Sequence, residues 1–87
     1  MCDLVISPDI VERLQAEAKA VAPVEACGIL AGRGQEATQF YPMTNADNSA
    51  EHFTLVPEEQ FATVKAIRRA GLDLLAIWHS HPASPAR

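Results

Sequence analysis

A mixed α/β fold, with a β-sheet flanked by helices, is the architecture this sequence predicts, and three observations predict it. Two segments repeat apolar residues at helical spacing, and each opens on a proline. Short apolar runs of strand length lie between and after them. Polar or glycine-bearing turns separate the pieces, giving the order helix, hairpin, strand, helix, strand expected of an α/β layer. At 87 residues the chain is read as one small domain spanning 1–87.

The first helix follows Ser7-Pro8. Serine is a good N-cap, and proline suits the first helical position because its missing N–H would be unpaired there anyway. Ile10, Val11, Leu14, Ala18 and Val21 then recur at helical spacing, with Glu12, Arg13, Gln15, Glu17 and Lys19 between them. Pro23 stops the pattern, so the helix is expected over 8–21. Residues 26–32 form a nearly continuous apolar run, as in a strand covered on both faces. Gly32-Arg33-Gly34 reads as a turn, and 37–43 as a second strand paired with the first in a hairpin. A polar loop over 44–49 precedes a third short strand at 52–56. Pro57 opens the second helix, with Glu58 and Glu59 at the positive end of its dipole. Phe61, Val64, Ala66 and Ile67 supply its apolar stripe, Arg68 and Arg69 its last turn, and Gly71 its end. The strand at 72–78 is apolar enough for burial on both sides and leads into His79-Ser80-His81-Pro82.

Composition excludes several classes. Apolar residues make up 48% and charged residues 21%, the balance of a globular domain rather than a disordered tail, a collagen-like repeat or a disulfide-rich mini-protein. Seven Lys+Arg against 11 Asp+Glu leave a net charge of −4, so neither nucleic acid nor an anionic membrane is an expected partner. No apolar stretch approaches the ~18 residues needed to cross a bilayer. The two cysteines, Cys2 and Cys27, follow no basic-then-apolar leader, and a reduced, cytoplasmic protein is the simple reading.

Two features carry chemistry. His79 and His81 stand two apart at the end of an apolar strand, where alternation projects both imidazoles from one face toward a shared divalent ion. Imidazole suits zinc, and the carboxyl ends of strands are where sites in open α/β sheets lie. A bare His-x-His also occurs in wet loops and as a packed pair. Glu25 abuts the apolar run at 26–31 and is either a solvated loop carboxylate or a general base beside a metal-activated water.

The segment Pro23-Val24-Glu25-Ala26-Cys27-Gly28-Ile29-Leu30-Ala31-Gly32, followed by Trp78-His79-Ser80-His81-Pro82, resembles the JAMM (JAB/MPN) metallopeptidase domain, in particular its short prokaryotic single-domain members. Phe40-Tyr41-Pro42, Asn45-Ala46, His52-Phe53 and Pro57-Glu58-Glu59-Gln60 fit those members too, so the resemblance runs from about Ile6 to Arg87. It implies a sheet wrapped by helices, similar to the cytidine-deaminase fold. It also implies a Zn2+ ion on two histidines, here His79 and His81, with an aspartate as third ligand. Glu25 matches the glutamate that takes the proton from water and hands it to the leaving amine. The substrates implied are peptide or isopeptide bonds, often at the C-terminus of a ubiquitin-like protein or sulfur carrier.

In the family the motif runs on past the second histidine to a serine and then the aspartate ligand, positions that fall beyond Arg87 here. The expectation is therefore the N-terminal portion of such a domain, C-terminally incomplete. Two neutral histidines bring no charge to offset a dication, and catalytic zinc usually has three protein ligands. Asp73 cannot be assumed to substitute, since it lies at the opposite end of the strand from His79. Unpaired strand edges invite a second copy to add as a homodimer. A catalytically inactive interaction module of the same fold is the competing reading. A cupin-like barrel, which also uses His-x-His, would need many short strands and a glutamate soon after the pair.

Other residues have plainer expectations. His52 is read as a partly buried structural histidine and Cys27 as a small buried hydrophobe rather than a third ligand. Ser80 is read as a local hydrogen-bonding group rather than a nucleophile, and Trp78 as core or pocket wall. Arg33 and Arg87 are read as solvated charge.

Overall fold

A computed structural model describes residues 4–49 and 52–80; Cys2, His81 and Arg87 lie outside the described residues. Its elements are β1 (Val5–Ile6), α1 (Pro8–Val21), β2 (Cys27–Arg33), β3 (Glu36–Met43), α2 (Pro57–Arg69) and β4 (Asp73–His79). The strands form one sheet in the order β1-β3-β2-β4. β1 runs parallel to β3 and the other pairs are antiparallel, so the sheet is mixed as expected.

α1 begins where its capping chemistry places it: the Ser7 hydroxyl accepts the Ile10 N–H at 3.4 Å, and Pro8 fills the first turn. Ile10 and Leu14, one turn apart, are its buried residues and meet Leu30, Ala37 and Phe40 on one face of the sheet. On the other face Ile67 of α2 packs with Cys27, Ile29, Ala31 and Met43. β2 is central and serves both clusters: successive side chains point to opposite faces, and every residue before Arg33 is buried. This double burial is why 26–32 reads as a continuous apolar run.

Gly28 has a steric task. A Cβ there would stand 2.4 Å from the Phe40 ring, so its absence lets Phe40 lie across β2. Phe40 then meets Trp78 edge to face, with ring centroids 5.7 Å apart and planes at 88°. Trp78 is thereby half-buried, packed against the core cluster on the α1 side.

Three features differ from the sequence reading. Residues 52–56 make no strand; their ladder is a single bridge between Asn45 and Leu55. The two-residue strand β1 was not expected, because its partner β3 lies some thirty positions on, as the Val5–Glu36 register shows. β4 is an edge strand among the described residues rather than one buried on both sides: Leu74 is 45% and Ile77 46% exposed.

Candidate active site

The site lies where β2 begins and β4 ends. The two strands are antiparallel with Cys27 opposite His79, so the residues just before Cys27 meet those at the end of β4. The pairing extends one step further through Ser80, whose N–H donates to the Ala26 carbonyl at 2.9 Å while its hydroxyl accepts the Ala26 N–H at 2.9 Å. Glu25 is thereby set beside His79, and its Oε2 stands 2.5 Å from Nδ1 of the imidazole.

The pair is asymmetric in solvation. The Glu25 side chain is 2% exposed and that of His79 32%. A carboxylate is rarely buried so fully without a charged or hydrogen-bonding partner, and the imidazole is that partner here. At this separation Nδ1 and the carboxylate oxygen are in hydrogen-bond contact. Phe53 covers the ring, stacked at 4.7 Å between centroids and 24° between planes. A cleft of about 260 Å³ opens beside Glu25, lined in part by Glu17, Val21, Val24, Met43 and Asn45.

The Glu25 main chain is held on both sides. Its N–H donates to the Ser49 carbonyl at 2.7 Å, and its own carbonyl accepts from Asn45 Nδ2 at 3.0 Å. The same Nδ2 reaches the carbonyls of Ser49 at 3.3 Å and His52 at 2.9 Å. Asn45 Oδ1 accepts the N–H groups of Asp47 at 3.0 Å, an Asx turn, and of Thr54 at 3.1 Å. Thr44, one residue earlier, is tied to α2: Glu59 Oε1 accepts its N–H at 2.8 Å and Oε2 its hydroxyl proton at 2.7 Å. These bonds, the backbone one first, hold the Glu59 carboxyl below its ordinary range.

The structure brings Glu25 and His79 together. His81 lies outside the described residues. His52 is exposed, not partly buried: its main chain is held by Asn45 and Ser49 while the side chain faces outward. Cys27 is fully buried with its Sγ 3.8 Å from the Met43 carbonyl oxygen. Burial, with the carboxylates of Glu59, Glu25 and Glu17 behind it, pushes its thiol up, which keeps it protonated and unsuited to bind a metal. Ser80 is engaged with Ala26, and Asp73 sits opposite Gly32 at the far end of β4. Asn45 and Phe53 were noted only as fitting a pattern; the signal available for Asn45 was its place at the head of a turn-forming Asn-Ala-Asp-Asn run.

Imidazole beside a carboxylate is donor chemistry of the kind zinc takes, and His79 supplies one such nitrogen. Among the described residues no three His, Cys, Asp or Glu side chains converge. Nor is any helix among them long and apolar enough to cross a membrane.

Comparison with known proteins bears on this geometry. The model for prokaryotic homologs of the JAB domain matches residues 7–87. The CysO-cysteine peptidase of Mycobacterium tuberculosis is 39% identical over 85 residues, covering 95% of this chain and 58% of that protein. A probable TtuB-protein conjugate cleaving protease of Thermus thermophilus is 37% identical over 84 residues, covering 95% and 56%. A desampylase of Haloferax volcanii is 38% identical over 65 residues, covering 71% and 47%. A solution structure of a protein from Desulfitobacterium hafniense superposes with a TM-score of 0.87 at 40% identity, covering 98% of this chain and 61% of that one. The chain thus spans 58% or less of the length of these curated relatives.

Proposed function

We propose the following for a chain that belongs to the family of prokaryotic homologs of the JAB domain: it serves a zinc-dependent peptidase that hydrolyses peptide or isopeptide bonds at the C-terminus of a ubiquitin-like or sulfur-carrier protein. The observation that carries the reading is the buried Glu25 carboxylate in contact with the partly exposed His79 imidazole at a strand end. Support for the substrate class comes from the relatives, whose names specify a peptidase, a conjugate-cleaving protease and a desampylase.

In this reading His79 and His81 hold the zinc. When bound, the ion supplies Lewis acidity toward the scissile carbonyl and acidifies water. Glu25 takes the proton of the attacking water on its carboxylate and returns it to the leaving amine, so the carboxylate is regenerated each turnover. Its burial keeps bulk water from competing for that proton, and its contact with Nδ1 fixes the ring of His79. Phe53 restrains the same ring from its face. Ser80 stays out of the chemistry, since its hydroxyl closes the β2–β4 ladder. A reducing cytoplasm suits the free, buried Cys27 thiol.

The test is hydrolysis of a ubiquitin-like protein carrying a C-terminal extension, read by mass spectrometry of the purified protein's products. Cleavage that a chelator abolishes, zinc restores and His79→Ala eliminates is expected. Cleavage indifferent to chelator would overturn the zinc reading, and substrate binding without any cleavage would favour the inactive interaction module.

A further inference from the structure

We infer that Asn45 is a positioning residue for the Glu25–His79 pair, acting through residues 52–54 and the Phe53 ring; the inference rests on the peptidase reading of that pair. One carboxamide binds three carbonyls and two N–H groups from separate stretches of chain. Two of these bonds bracket Phe53: Nδ2 donates to the carbonyl of His52, and Oδ1 accepts the N–H of Thr54. The peptide units on both sides of Phe53 are therefore fixed by the Asn45 side chain.

The rest of the loop depends on the same group. Residues 52–56 make no strand ladder beyond the Asn45–Leu55 bridge, so sheet pairing does not place the Phe53 ring. Its position follows from the Asn45 bonds, the Ala46 N–H to the Thr54 carbonyl at 2.8 Å, the His52 N–H to the Ser49 hydroxyl at 3.3 Å, and the packing of Phe53 against the Cys27, Ile29, Ala31, Met43 and Ile67 cluster. Through its third carbonyl Asn45 also grips the backbone of Glu25. One side chain thus sets the base from the main-chain side and the imidazole from its stacked face.

An asparagine is required rather than merely tolerated. Aspartate keeps the acceptor oxygen but turns the donor end into a second acceptor, facing three carbonyl oxygens with no proton to give. Alanine removes both ends. Asn45 itself belongs to neither core cluster, and the Phe40–Trp78 contact on the α1 side of the sheet shares no residue with the loop that Asn45 ties.

The experiment compares wild type, Asn45→Asp, Asn45→Ala and Phe53→Leu in the intact metal-free protein by aromatic NMR, followed by zinc titration against a chromophoric chelator. In wild type the His79 ring protons are expected upfield because of the stacked Phe53 ring, and Phe53→Leu is expected to remove that displacement. Asn45→Asp and Asn45→Ala are expected to remove it as well, with the Trp78 signals that report the Phe40 contact unmoved. Zinc affinity is expected to fall by about 10-fold or more in Asn45→Asp, the size of loss usual when a group that orients a ligand is removed. Unchanged His79 signals in both Asn45 variants overturn the inference, as does an unchanged zinc affinity. Trp78 signals that move along with those of His79 also overturn it, since that marks general loss of fold. Failure of the peptidase reading looks different: wild type then neither binds zinc nor cleaves, while the His79 signals still respond to Asn45→Asp.

Discussion

Replacing Glu25 separates its two duties, because glutamine keeps the shape of the side chain and loses the base, whereas alanine loses both. The side chain is 2% exposed and its partner ring 32% exposed. A hydrogen bond to a charged group is worth ~1.5–3 kcal/mol, and water at the partly open His79 replaces some of what alanine removes, so the lower end of about 1.5 kcal/mol applies. For a domain of this size each kcal/mol moves the melting temperature by ~4–8 °C, giving a drop of about 6–12 °C for Glu25→Ala. Glu25→Gln still offers a hydrogen-bonding oxygen or N–H to Nδ1, and its melt should stay within about 1 kcal/mol of wild type. Hydrolysis tells the opposite story: both variants should lose ~10²–10⁴-fold in rate, the usual contribution of a positioned base. The assays are thermal melts and product formation from a ubiquitin-like substrate with a C-terminal extension. Glu25→Gln activity within about tenfold of wild type refutes the base assignment. A Glu25→Ala melt equal to wild type refutes the energetic account of the buried pair.

Other perturbations have smaller but definite outcomes. Gly28→Ala forces a methyl against the Phe40 ring, where a Cβ would stand at 2.4 Å, and should cost ~1–3 kcal/mol in chemical denaturation, as overpacking does. Ser80→Ala strips the Ala26 N–H of its acceptor and should cost about 1 kcal/mol while hydrolysis persists; abolished hydrolysis at intact fold would instead make the hydroxyl a chemical participant. The Glu59 carboxyl is held low by its bonds to Thr44, so the stabilisation it provides is complete above the ordinary carboxylate range and is lost as pH falls through its depressed value. The Thr44 amide signal should follow that acid transition, and Glu59→Gln should remove the pH dependence.

Much of this arrangement is readable in one dimension, and what is not has physical causes. α1 carries its own punctuation, a serine cap, a proline in the first turn and a period near four, and it runs over Pro8–Val21 as expected. β2 announces itself by burial on both faces. Glu25 stood out as a carboxylate abutting such a run, either solvated or a base, and the structure buries it against His79. β4 is as apolar as β2, yet among the described residues it lies at the sheet edge with Leu74 and Ile77 exposed. Residues 52–56 have strand-forming side chains, yet the Asn45 carboxamide takes up the backbone groups on either side of Phe53 that a ladder would use. His52, expected to be partly buried, is exposed. β1 is two residues long and pairs with a distant segment, so no local pattern marks it. Asn45 acts only through the tertiary fold, which is why its sequence signal went no further than a turn.

The central claim is that His79 binds zinc beside a base. X-ray absorption at the zinc edge, on wild type and His79→Ala loaded with one equivalent of zinc, tests it most directly. The account predicts nitrogen scattering at about 2.0–2.1 Å, characteristic of imidazole on zinc, that weakens by one ligand in His79→Ala. An imidazole contribution identical in the two proteins, or none in wild type, contradicts it.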